Sequence, residues 1–162
     1  MENLKDLLLR TAFACMACDG EIASEEMALI KDLSKKENLF GGIDADKELE
    51  VLHQEINQQG KGFLQNYFSL LKGYELTTQD ELNILRIAAL VIQADNKIEY
   101  SEIKFFKVIR SCLKVSDEEI LSNIKEVDDT YLAQDIKMNY TQLYDTYFSS
   151  VNLNSFVFDE KV

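Results

Sequence analysis

Asp19-Gly20-Glu21-Ile22-Ala23-Ser24-Glu25-Glu26 recurs further along the chain, with substitutions, as Asp95-Asn96-Lys97-Ile98-Glu99-Tyr100-Ser101-Glu102. Both stretches read Asp, a residue that tolerates the left-handed backbone, a spacer, Ile, three more residues and Glu. Each lies between two segments of helical apolar spacing. The chain is therefore an internal duplication of helix, acidic turn and helix, and that repeat decides the fold class as all-α. On the amino-terminal side of the first turn, Leu4, Leu8, Thr11, Cys15 and Cys18 form one helical stripe that ends near Asp19. Gly20 supplies the positive φ that closes this helix. After the turn, a helix from about Ser24 carries Met27, Ile30 and Leu33 and stops at Gly41-Gly42.

The rest of the chain extends the pattern. Ala45 to Gln58, around Leu49, Leu52 and Ile56, and Phe63 to Leu71 read as connecting helices, with Gly60-Lys61-Gly62 as a hinge between them. Thr78-Gln79-Asp80-Glu81 has the form of a capping box, opening a helix whose stripe is Leu82, Leu85, Ala89 and Ile92 before Asp95 ends it. Asn96 replaces Gly20 at the left-handed position. The next helix carries Ile103, Phe106, Ile109 and Leu113, and Ser116-Asp117-Glu118-Glu119 caps one with Ile120, Leu121 and Ile124. A last helix, near Tyr131 to Phe148, has Tyr140, Tyr144, Tyr147 and Phe148 at near-helical spacing; it either covers the core or presents a partner surface. Val151 to Val162 is read as frayed or as docked through Phe156 and Phe158. With no proline anywhere, the expectation is a compact bundle of about seven to eight helices with pseudo-two-fold internal duplication.

Composition bounds the function. A chain of 162 residues with 46 % hydrophobic residues buries a core without staples. Its 17 basic and 29 acidic side chains, a formal net charge of −12, repel phosphate backbones, so no nucleic-acid partner is expected. The longest apolar stretches, Leu7 to Leu9 and Ala88 to Ile92, are far short of the ~20 residues that span a bilayer. Met-Glu-Asn-Leu-Lys-Asp is not a signal peptide. A cytoplasmic location is expected, with no transmembrane segment and membrane association only through a partner. Three cysteines fit a reducing compartment.

The motifs now point to a family. Cys18-Asp19-Gly20-Glu21-Ile22 followed by Glu26, and Ala94-Asp95-Asn96-Lys97-Ile98 followed by Glu102 and Leu113-Lys114-Val115-Ser116-Asp117-Glu118-Glu119, resemble the tellurite-resistance TerB-like family. That family includes the amino-terminal domain of some membrane-anchored J-domain co-chaperones. The resemblance covers roughly residues 3 to 126. It implies an all-α domain of about seven helices, taken as 1–127; the segment 128–162 lies outside the resemblance and is read as a carboxyl-terminal helical extension and tail packing on that domain. It further implies that the acidic turns face one another, with divalent-metal binding at their centre. The second copy departs from the pattern where Asn96 and Lys97 replace Gly and a neutral or acidic residue, and Lys97 sets a cation beside that centre.

The residues alone leave two readings of the turns. An Asp at a helix carboxyl end meets the negative end of the macrodipole, which costs roughly 0.3–1 kcal/mol unless compensated. Compensation comes from free N–H groups of the next helix, making the turns paired caps, or from a bound cation. In the second case the metal ligands are Asp19, Glu26, Asp95 and Glu102, holding one divalent cation shared between the halves. A self-contained EF-hand is disfavoured, because its opening positions hold Cys15 and Ala17 in one copy and Val91 and Gln93 in the other. Cys15, Cys18, Cys112 and His53 would make a zinc set, but Cys15 and Cys18 correspond to the apolar Val91 and Ala94, which favours core roles. No catalytic residues stand out: His53 is the lone histidine, no nucleophile elbow accompanies it, and no phosphate loop occurs. The expectation is a non-enzymatic acidic domain, binding a divalent cation in a stress-response role. The alternative is a protein–protein interaction module whose turns are structural caps. A protein partner suits either.

Overall fold

The computed structural model describes residues 4–18, 20–36, 45–94, 100–127, 131, 140–150 and 157–159. Among these are eight helices: α1 (Leu4–Ala17), α2 (Ser24–Lys36), α3 (Ala45–Gln59), α4 (Lys61–Gly73), α5 (Thr78–Ile92), α6 (Tyr100–Ser111), α7 (Asp117–Asn123) and α8 (Tyr140–Ser150). Two three-residue strands, β1 (Glu21–Ala23) and β2 (Val157–Asp159), accompany them. The fold is the expected all-α bundle, and the duplicated units are α1–α2 and α5–α6.

The core forms around α1. Leu7, Leu8, Leu9, Thr11 and every residue from Ala12 to Ala17 are buried, so the single stripe expected of this helix is too narrow. A helix apolar on all sides belongs inside the bundle rather than on its surface. Accordingly α1 lies against its repeat equivalent α5 and also touches α2, α3, α4 and α6. α5 contributes Leu82, Ile84, Leu85, Ile87, Ala88, Ala89, Val91 and Ile92 to the same core. At about 1.5–3 kcal/mol for each fully buried large apolar side chain, this helix pair supplies a large share of the folding drive.

Helix boundaries follow local chemistry, with three adjustments to the expected ones. The capping box before α5 lies one residue earlier: Thr77 accepts from the Asp80 N–H through Oγ1 at 3.1 Å, and Asp80 accepts from the Thr77 N–H at 3.1 Å. Glu81 is thereby released for another role. Gly60, at φ 59°, is the whole joint between α3 and α4, and Gly62 already belongs to α4, so this is a tight corner and not a loose hinge. Leu121 is 40 % exposed and leaves the core to Ile120 and Ile124. Ser116 caps α7 as expected, accepting from the Glu119 N–H at 3.1 Å. Gly20 has the predicted positive φ, 87°. Gly41-Gly42, Asn96 and Lys97 lie outside the described residues.

The carboxyl-terminal region covers the core. On α8, Leu143 and Tyr147 are buried, and Tyr144 and Phe148 are half-buried against the core cluster. Tyr147 meets Phe105 of α6 edge-on at 5.0 Å, and Phe148 meets Phe68 of α4 at 6.2 Å. Within the tail, β2 pairs in parallel with β1, Glu21 opposite Val157, Ile22 opposite Phe158 and Ala23 opposite Asp159; Phe156 and the side chain of Phe158 lie outside what the structure describes. Helical periodicity gives no sign of this ladder, because strands of three residues joined across most of the chain leave no local pattern. Among the described residues, no helix is long and apolar enough to cross a membrane.

Candidate functional site

Glu26 and Glu102 occupy the same position of the two repeats. Each is the third residue of its helix, α2 and α6 respectively, where the positive end of the macrodipole favours a carboxylate. Both are buried, Glu26 at 3 % and Glu102 at 2 % exposure. Ionised side chains are rarely this buried without a specific reason. Cys15 of α1 is fully buried, and its thiol is pushed well above its ordinary pKa, first by that burial and then by the negative charges of Glu102 and Glu26. The duplication thus places a buried glutamate at the same position of each half of the chain, and the charge of each bears on Cys15. Asp19 and Asp95, the other two predicted ligands, lie outside the described residues.

Around this point is a buried polar cluster. Thr11 Oγ1 donates to or accepts from the Tyr67 hydroxyl at 2.7 Å. Burial, followed by the Cys15 thiol, raises the Tyr67 pKa well above the usual phenol range against the opposing pull of the Thr11 hydrogen bond. Cys18 donates its S–H to the Cys15 carbonyl at 3.1 Å, and the Tyr147 hydroxyl donates to the Cys18 carbonyl. The residue preceding Asp19 is therefore held by α8.

The cysteines behave as core residues. Cys15 and Cys18 are fully buried, and burial pushes the half-buried Cys112 thiol up to about 12 despite nearby Lys72. Thiols kept protonated in this way are poor nucleophiles and poor metal ligands. His53 lies on α3 with Nε2 2.9 Å from Asn57 Nδ2, and its pKa is lowered by partial burial against the opposing charge of Glu50. Among the described residues, which include Glu26, Glu102, Cys15, Cys18, Cys112 and His53, no three His, Cys, Asp or Glu side chains form a metal-holding group. The zinc set is not brought together.

One buried carboxylate escaped the sequence reading. Glu81, 5 % exposed, accepts from the backbone N–H groups of Lys114 and Val115, both at 2.9 Å, and so fastens the α6–α7 connection to α5. Its signal was available: Glu81 stands three, seven and eleven residues before Ile84, Ala88 and Ile92, on an apolar helical face. A groove of about 370 Å³ between α5 and the end of α7, lined by residues such as Gln79, Asn83, Arg86 and Leu121, contains neither Cys15 nor the paired glutamates. Comparison with protein-family models, with curated proteins and with solved structures finds no match.

Proposed function

We propose that this chain is a non-enzymatic, TerB-like acidic domain that holds one divalent cation between its two acidic turns, in a stress-response role. The ligands are Asp19, Glu26, Asp95 and Glu102. The observation that carries the reading is the burial of Glu26 and Glu102 at equivalent repeat positions, with the charge of each bearing on the buried thiol of Cys15; among the described residues these three side chains do not by themselves form a metal-holding group, so the site depends on Asp19 and Asp95. Two carboxylates brought near one another in a poorly solvated region resist joint ionisation. A hard divalent cation, which takes oxygen ligands and favours carboxylates, offsets that repulsion. When bound, the ion would serve as a charge bridge between the repeats, and the chain's own residues would position it without turning anything over.

A second reading treats the turns as structural caps in a protein–protein interaction module. It is favoured by the placement of both glutamates at the third helical position, from which a carboxylate reaches back to the free N–H groups of its own helix start. Isothermal titration of demetallated protein with Ca²⁺, Mg²⁺, Mn²⁺ and Zn²⁺ separates the two. The cation reading expects saturable binding near one ion per chain that disappears in the Asp19→Asn/Asp95→Asn double variant. No heat of binding up to millimolar cation would overturn it in favour of the caps.

A further inference from the structure

Both helices that lead into the acidic turns are tied, at the first residue past their ends, to a tyrosine from beyond the second repeat. α1 ends at Ala17, and the Cys18 carbonyl accepts from the Tyr147 hydroxyl of α8. α5 ends at Ile92, and Gln93 donates through Nε2 to the Tyr131 hydroxyl at 2.6 Å. Asp19 follows Cys18 directly, and Asp95 stands two residues past Gln93. The closing carbonyls of a helix have no partner within it, and Cys18 is fully buried, so the Tyr147 hydroxyl supplies a partner where water does not reach. At the second turn the Gln93 carboxamide also donates to the Glu126 carbonyl at 2.7 Å, which leaves less resting on Tyr131 alone.

The two tyrosines are themselves fixed by neighbours on one helix. Tyr147 is fully buried with its ring edge-on to Phe105 at 5.0 Å, and Tyr131, 3 % exposed, meets Phe106 edge-on at 5.0 Å. Phe105 and Phe106 are consecutive, fully buried residues of α6, the helix that leaves the second turn and carries Glu102. Successive helical side chains diverge by about 100°, so a single step of α6 serves both tyrosines. Rings set in a close-packed interior hold their hydroxyls in place.

We propose that Tyr131 and Tyr147 are positioning residues: acting through Gln93 and Cys18, they fix the chain where it enters each acidic turn, so that the region beyond the repeats sets the arrangement of both. The inference rests on the turns being the functional site, and not on whether they hold a cation or serve as caps.

The test is amide hydrogen exchange, read by NMR on the full chain without added metal. The reporters are the Gly20 N–H, which donates to the Ala17 carbonyl at 2.9 Å, and the Ala94 N–H, which donates to the Val91 carbonyl at 3.2 Å; the Gly60 N–H, bonded to the Ile56 carbonyl at 2.8 Å in the α3–α4 corner, is the control. Tyr147→Phe and Tyr131→Phe each remove a hydroxyl and keep its ring. Expected are exchange about tenfold faster at Gly20 in Tyr147→Phe and about threefold faster at Ala94 in Tyr131→Phe, with changes below about twofold at the other turn and at Gly60. Gln93→Met removes the second bond from its other end and should accelerate Ala94 at least as much as Tyr131→Phe. Tyr67→Phe, which deletes the buried phenol bonded to Thr11, should move Gly20 and Ala94 no more than Gly60. Equal acceleration of all three amides in the Tyr131 and Tyr147 variants overturns the proposal, because the hydroxyls then serve only overall stability. Unchanged exchange at Gly20 and Ala94 overturns it too, as does a Tyr147→Phe chain that loses its helical circular dichroism, since the hydroxyl would then hold the bundle and not the turn. With no metal present, failure here is distinct from failure of the cation reading, which the titration decides.

Discussion

Glu81 shows how one side chain can hold a junction. Its Oε1 takes two backbone N–H groups that would otherwise be left in or near the core, and charge-assisted bonds of this kind are worth about 1.5–3 kcal/mol. Glu81→Ala is expected to lower unfolding stability by about 3 kcal/mol and Glu81→Gln by about half that, measured by urea denaturation. Cys112 offers a second check. A thiol raised from 9.0 to about 12 holds far less thiolate at pH 8, so native Cys112 should react with iodoacetamide markedly more slowly than in the unfolded chain, though by less than the thiolate ratio alone, because a higher-pKa thiolate is the stronger nucleophile. Glu26 and Glu102 stood out in the sequence because the duplication marked them twice, and the structure adds that both are buried. Glu81 did not stand out, because a Thr three residues before it offered a nearer explanation, and only the actual cap at Thr77 shows that explanation to be off by one.

Among the elements, helix type and approximate extent could be read from apolar spacing, since eight segments repeat it and Gly20 and Gly60 mark two of the corners. Details set by competing local bonds could not. Thr77 and Thr78 are chemically equivalent cap candidates, and their difference lies in which Oγ1 faces the Asp80 N–H. Thr77→Ala is accordingly expected to cost about 1 kcal/mol of stability, and Thr78→Ala only a few tenths, in thermal or urea unfolding. The strand pair lay beyond sequence reading for a different reason: its two halves come from opposite ends of the chain, and three residues carry no periodicity.

At the scale of the whole molecule, the buried polar cluster gives stability a definite pH dependence. Cys15, Tyr67 and Cys112 all have raised pKa values in the folded state. The unfolded chain therefore loses these protons first as pH rises, and each loss favours unfolding. Stability from these groups is complete below about pH 9, the ordinary thiol value, and declines above it. Urea midpoints measured at pH 7, 9, 10 and 11 should fall across the upper three, less steeply in Tyr67→Phe than in wild type. A flat profile would mean that these groups titrate alike in both states.

The enclosure of α1 has a consequence for the protein's birth on the ribosome. The helix that five others surround is made well before α5, its principal partner, which begins at Thr78. At about 5–20 residues per second, roughly 3–12 seconds separate the end of α1 from the start of α5, and the exit tunnel adds to that wait. During this interval Leu7, Leu8, Leu9 and Phe13 have no finished interior to enter. Until α5 emerges, α1 is thus the vulnerable element of the nascent bundle, and substitutions that make it stickier should reduce yield in cells before they alter the stability of the finished protein.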